Sequence, residues 1–409
     1  MPEADTRPDG SDPTTGDDGR EVTTPEAVTP AVAAAIETVA SHLHPTPSWD
    51  LDDHPEPQGR EEVWRFTPMK RVAPLLGVGA TSDNLDWKVE LPEGATLQQI
   101  GKDEARELAV EAPLDRLSAL AAANAAYGVR IDVPAETELT SPIVLTGTGQ
   151  GGTVSEHTVV TIGNFAKATL VMRFEGSANF AEKLDLRVGD GAQVTLVTLQ
   201  DWADGAVHGG QRSVLVGRDA HVRLITASLG GDLVRLQEDV RYAGPGGQLE
   251  QYGLYFVDAG QHVQHRIFVD HNAPRTKSNV DYRGALQGEG AHSVWIGDVL
   301  IRKVAEGIET YEANKNLVLT DGCKADSVPN LEIETGEIAD AGHSSTTGRF
   351  DDNQLFYLMS RGVSERDARR LVVQGFFVEI IRRVGIPEIE QRLMETVEKE
   401  LAFIDTVQA

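Results

Sequence analysis

From Tyr127 to about Glu334, apolar residues alternate with polar ones or gather in short β-branched runs such as VRIDV, HTVVTIG, ATLVMRF, QVTLVTL, HVRLITASL, QYGLYFV and SVWIGDVLI. A period of two places alternate side chains on opposite faces, so each run predicts a strand with a buried face. No helical period interrupts these runs, which predicts an all-β core. A repeat runs through it: Gly163-Asn-Phe-Ala166, Gly189-Asp-Gly-Ala192, Gly217-Arg-Asp-Ala220, Gly244-Pro-Gly-Gly247 and Gly288-Glu-Gly-Ala291 each set a glycine three residues before a small residue and a strand. The first four recur at 26, 28 and 27 residues and the last at 44. Such a period predicts a β-helix or β-solenoid whose turns bury their apolar faces against one another, with positive φ at each corner glycine and the small residue packed inward. A two-sheet sandwich with turns at comparable spacing is the alternative.

The pattern changes on either side of this core. Residues 1–30 are rich in Asp, Thr, Pro and Gly and poor in large apolar side chains, which predicts a disordered acidic tail. Residues 31–127 read as a helical region: AVAAAIETVASH (Ala31–His42) and DRLSALAAANAAY carry helical periods, and Trp64, Phe66, Met69 and Leu75 are candidate anchors. The core spans 128–345. Near its end, Asn316–Thr320 and Leu331–Glu334 predict strands around a turn containing Gly322, Asp326, Ser327 and Pro329. Residues 346–409 read as a C-terminal helical domain. Leu355, Phe356, Leu358 and Met359 lie at helical spacing and Gly362 ends that helix. Ser364 caps the next, with Asp367 three residues on, and Leu371, Val372, Phe376, Ile380 and Ile381 form its apolar stripe. A final helix starts at Pro387 and runs to Ile404.

Charge narrows the function classes. With 64 acidic against 37 basic residues the net charge is −27, which argues against nucleic acid or an anionic membrane as partner. The basic residues are 27 Arg and 10 Lys, and an acidic, Lys-poor surface suits a high-salt cytoplasm. A single cysteine, no N-terminal apolar segment and no bilayer-length apolar run point to a cytoplasmic protein outside the membrane.

Four histidines, His262, His265, His271 and His292, invite a metal reading, but His262 and His265 are three apart in a strand and face opposite ways, which favours ordinary surface or interface histidines. Asp270, Asp281, Glu289 and Asp298 would suit a β-helical carbohydrate enzyme if they converged on one groove. An exposed strand edge at the end of the β-helix near His343 would favour a scaffold instead. Cys323 sits in a turn, where a lone thiol is either a small buried hydrophobe or a soft metal ligand. No GxxxxGK[ST] string occurs, so a P-loop ATPase activity is not expected of this chain.

The segment PNLEI, followed by GHSSTTGRFDDNQLFYLMSRG and an Ala-Arg-rich helix ending in FF, resembles the C-terminal signature of the SufB/SufD family of iron–sulfur cluster assembly proteins. The resemblance extends from about Glu61 onwards, and EVWRFT looks like the entrance segment of SufD. It implies a right-handed parallel β-helix between helical regions and a non-catalytic SufD-type subunit of the SufB–SufC–SufD scaffold. The partners it implies are a SufB-like paralogue and the SufC ATPase, the latter docking on Phe356, Tyr357, Met359, Arg361 and Gly362. His343 matches a motif that in SufD reads Cys-Ser-His-Gly-Ala-Thr; here the string is Ala341 to Thr346, and Ala341 stands where the family has cysteine. The resemblance therefore implies a transient cluster shared with SufB, with His343 and Cys323 as metal-contacting residues and no cofactor held stably by the chain alone. Cys323 falls where SufB-like sequences carry an assembly cysteine, which keeps a SufB-like homodimeric scaffold as the alternative.

Overall fold

The computed structural model describes residues 46–79, 84–349 and 352–407. The acidic tail and the Ala31–His42 helix read from the sequence lie outside the described residues. The alternating runs form sixteen strands: β1 (Asp86–Glu90), β2 (Thr96–Ile100), β3 (Gly128–Val133), β4 (Ile143–Ile162), β5 (Lys167–Val188), β6 (Gln193–Trp202), β7 (Val207–Val216), β8 (His221–Ser228), β9 (Leu233–Tyr242), β10 (Gln248–Val257), β11 (His262–His271), β12 (Lys277–Leu286), β13 (His292–Ile301), β14 (Glu309–Val318), β15 (Lys324–Ile333) and β16 (Asp340–Arg349). β6 and β7 both pair with the long β5, one on each half, and from there even strands add only to even and odd to odd, always in parallel. The chain is mainly β, a parallel solenoid of about eight turns. Two sheets face each other as in a sandwich, but successive strands alternate between them, which rules out the antiparallel sandwich.

Gln193 pairs with His221, then Gln248, Lys277, Glu309 and Asp340, so one turn takes 27 to 32 residues. Ala166, Ala192 and Ala220 are buried at successive corners, as the repeat predicts. Positive φ, however, falls two residues after the first glycine, at Phe165, Gly191, Asp219 and Gly246. The leading glycines are needed for close stacking instead: a Cβ on Gly217 would lie 2.5 Å from the Gly189 carbonyl oxygen of the turn below. Gly288 belongs to the opposite corner, between β12 and β13, where a Cβ would meet Ala259 at 2.6 Å. Its interval of 44 residues is thus one and a half turns.

Interior-facing apolar side chains, including Phe174, Phe180, Trp202, Tyr255, Tyr282 and Trp295, form the main core. Ionic groups share that interior. Arg212 Nε donates to Glu182 at 2.6 Å and its Nη1 reaches Thr198 at 2.6 Å and Glu238 at 3.2 Å. Burial opposes ionisation of Glu182, but Arg212 and His208 outweigh it and hold its carboxyl at about 2.

Helices and loops cover the outer faces. Over the odd sheet lie α1 (Met69–Val72), α2 (Lys102–Leu108) and α3 (Arg116–Asn124), the last begun by an Asp115–Ser118 capping box. Trp64, Val72, Leu75 and Leu117 pack there against Val207 and Leu233, and Arg235 lies over the Trp64 ring at 4.0 Å while pairing with Asp115 at 2.8 Å. Over the even sheet lie α5 (Glu365–Arg382) and α6 (Pro387–Val407), and α4 (Asp352–Ser360) packs on α5. Ser364 caps α5 by accepting from the Asp367 amide at 3.1 Å, and Gly362 takes φ 87° after α4. The buried stripe of α5 is Ala368, Val373, Phe377, Ile380 and Ile381, rotated from the expected one, so Leu371 is left exposed. Arg283 fastens α5 through Glu379 at 2.6 Å and the Phe376 carbonyl at 3.0 Å. Arg392 of α6 reaches Asp201 at 3.2 Å.

The two ends of the solenoid differ. At the first, antiparallel β1 and β2 close the edges of β4 and β3. At the last, β15 and β16 each pair on one side only, and their side chains are half-buried or exposed while those of the preceding turns are largely buried. Asp326, Ser327 and Pro329, expected in a turn, lie within β15, where Pro329 suits an edge strand.

Candidate functional site at the open end of the solenoid

The final turn brings one predicted site residue to the open edge. His343 is the fourth residue of β16 and stands in register above Glu312 of β14. Below Glu312 in the same inward-facing column are Val280 and Gln251. The imidazole is 42% exposed and the Glu312 side chain 1%, with 3.8 Å between His343 Nδ1 and Glu312 Oε1. Neither carboxylate oxygen of Glu312 has a hydrogen-bond partner. The carboxylate lies against Gly297 of the facing odd sheet, where a Cβ would collide with it and with Trp295. Burial, aided by Asp298, pushes the Glu312 carboxyl up to about 8. Beside it run Asn314, which donates to the Tyr255 hydroxyl at 2.9 Å, and Asn316, which donates to Asn314 at 2.7 Å.

Cys323 is elsewhere. It lies in the corner between β14 and β15, half-buried against the core, 3.4 Å from the Gly288 carbonyl and 3.5 Å from Thr320 Oγ1. Glu312, beneath His343, is six residues before the end of β14, so the strand separates the two sites by about 20 Å. The turn therefore does not bring Cys323 and His343 together. Among the described residues no group of three or more His, Cys, Asp or Glu side chains is placed to hold a metal ion.

The other candidates separate. His262 and His265 do face opposite ways, the latter inward beside Ser228 at 3.2 Å and the Tyr255 ring, but both are buried and neither is a surface histidine. Burial lowers His262 and His271 to about 3 and His265 to about 4, so all three are neutral at pH 7. His271 is fixed by Thr276 and Ser278, and His292 pairs with Asp326 at 2.7 Å. Asp270 and Asp298 lie on the outer side of the odd sheet, Asp281 on that of the even sheet and Glu289 at a corner, so the four carboxylates do not share a groove. A separate surface lies at α4, where Phe356 and Tyr357 are 74% and 57% exposed, Met359 is exposed, and Arg361 stands over the Tyr357 ring at 5.3 Å.

Glu312 is the residue that sequence reasoning missed. Its signal was present as Glu312, Asn314 and Asn316 at alternate positions of one strand, a pattern that ordinarily marks the solvent face. Here the polar face is inside, and Tyr311 and Lys315 are outside.

The domain described as "SUF system FeS cluster assembly, SufBD core domain" matches residues 144–376, which takes in the solenoid, His343 and most of α5. A protein of Mycobacterium tuberculosis named as an iron-sulfur cluster assembly SufBD family protein is 43% identical over 389 residues, covering 93% of this chain and 98% of the relative. One of the same description from Mycobacterium leprae is 43% identical over 368 residues, 88% of this chain and 94% of the relative. The Bacillus subtilis protein named SufD is 22% identical over 307 residues, 70% and 67% of the two chains. No helix among the described residues is long and apolar enough to cross a membrane. The matched core, the parallel solenoid and the two mycobacterial relatives together place this chain in the SufB/SufD family of iron–sulfur cluster assembly proteins.

Proposed function

We propose that the chain is a SufD-type subunit of a cytoplasmic SufB–SufC–SufD scaffold, itself non-catalytic, which joins a SufB-like paralogue in building a transient iron–sulfur cluster. The observation that carries this reading is the open edge of β16 with His343 on it. An unpaired strand edge is a template for pairing with another chain, and such edges are otherwise closed or covered. Imidazole beside thiolates is an established ligand set for iron–sulfur centres. With one cysteine, about 20 Å from His343 by strand length, the chain supplies too few thiolates for a cluster alone.

The exposed aromatic pair Phe356 and Tyr357, with Met359, Arg361 and the Gly362 turn, supports docking of the SufC ATPase on α4, since aromatic and Arg side chains dominate such contacts. Movement of SufC would pass to the solenoid through α5 and α6, fastened at Arg283–Glu379 and Arg392–Asp201. The carboxylates that a carbohydrate enzyme would need do not converge, which weighs against that reading.

Co-expression with the SufB-like and SufC proteins of the same genome tests the proposal. The expected outcome is a three-component complex in which Phe356→Asp/Tyr357→Asp loses SufC alone, while His343→Ala keeps the complex and slows cluster assembly at least tenfold. A chain that purifies without either partner would remove the SufD assignment, and a stable homodimer holding a cluster would favour the SufB-like alternative.

A further inference from the structure

The interior of the last turn contains a feature that stability does not explain. A buried carboxylate without a hydrogen bond is among the costliest groups a fold can carry, and buried acids are ordinarily paired with a cation or a set of donors. Glu238, two turns away in the same interior, shows the usual solution, with contacts to Arg212, Thr226, Gln251 and Tyr282. Glu312 has none of these. Its two oxygens have no hydrogen-bond partner, and the imidazole of His343 stands 3.8 Å away across the open end. The carboxylate is also held in place, because the backbone of Gly297 and the Trp295 ring close the space around it.

We propose that Glu312 is a second donor for the metal at His343, so that this chain presents an imidazole–carboxylate pair to ferrous iron at the open end of the solenoid. The inference rests on the reading that iron is handled at His343. Imidazole nitrogen and carboxylate oxygen both suit divalent first-row ions, and no thiolate is required for such a pair. Donors at about 2.1 Å from a common ion span distances near the 3.8 Å seen between Nδ1 and Oε1. The pair is incomplete as a site and its free positions face the unpaired edge, where a partner's thiolates and sulfide would complete it.

Anaerobic titration of Fe(II) into the full-length, metal-free chain tests this, with affinity read by competition against a chromogenic ferrous chelator and ligation read from the d–d spectrum of Co(II) bound instead. Glu312→Gln and His343→Gln are each expected to weaken Fe(II) binding at least tenfold and to alter the Co(II) spectrum. Glu309→Gln, an exposed residue of the same strand paired with Lys277, should leave both unchanged. Glu312→Asp retains the carboxylate and should bind more tightly than Glu312→Gln; if Asp and Gln are equally impaired, the effect is structural and the proposal fails. It fails too if Glu312→Gln matches the wild type, or if the wild-type chain binds Fe(II) no better than His343→Gln. None of these failures touches the scaffold reading, which stands or falls on complex formation.

Discussion

At the residue scale, two glutamates in one interior behave in opposite ways because of what faces them. Glu182 is held at about 2 against a usual value near 4.5, so the folded state binds fewer protons than the unfolded chain in that range. Its contribution to stability is complete above pH 4.5 and is lost as pH falls from 4.5 towards 2. Replacing Arg212 with Met would leave both Glu182 and Glu238 buried without their common cation; the expected loss is about 3 to 5 kcal/mol in denaturant unfolding, and it shrinks in acid. Glu312 runs the other way. With a folded value of about 8, it stays protonated in the folded state while the unfolded chain ionises, so stability falls as pH rises from 4.5 to 8. Glu312→Gln is therefore expected to raise the melting temperature at pH 8 and to leave it unchanged near pH 4. A variant that gains stability while losing iron affinity is the signature of a residue kept for function.

At the element scale, the corners decide how turns stack. The tetrapeptide repeat was legible in the sequence because a glycine and a small residue must recur wherever the backbone of one turn touches the next. What could not be read was the division of labour. Gly217 is required by the Gly189 carbonyl beneath it, while the left-handed conformation is taken by Asp219 two residues later. Gly217→Ala should cost about 2 kcal/mol or more, since backbone rather than a flexible side chain blocks the methyl group. Asp219→Gly should be neutral or mildly stabilising, because it relieves a positive φ. Thermal melts of the two variants distinguish these roles. The stripe of α5 illustrates the same limit: helical spacing was clear, but rotation about the axis was set by which residues met Ile225, Tyr252 and Leu254 on the even sheet.

For the molecule as a whole, charge and architecture are separate matters. A net charge of −27 repels itself over distances that salt shortens, from about 10 Å at 0.1 M to about 3 Å at 1 M. If the acidic composition reflects a high-salt setting, the melting temperature should climb by several degrees between those concentrations of KCl; an unchanged value would make the acidity incidental. The asymmetric ends matter more for function, since antiparallel β1 and β2 close one end and leave the other as the only solenoid edge open to a partner among the described strands.

The amino-acid sequence by itself determined the strand content, the repeat, the caps at Ser364 and Gly362 and the resemblance that pointed to His343, because each rests on local stereochemistry or on a contiguous string. Only the tertiary structure decided which faces are interior. Two sheets buried on both sides erase the usual link between polar alternation and solvent, so Glu312 reads as a surface residue until β16 is laid over β14. It also set His343 apart from Cys323, although they are twenty residues apart in the chain, because a solenoid turn sends neighbouring segments to opposite corners and brings into contact residues about thirty positions away.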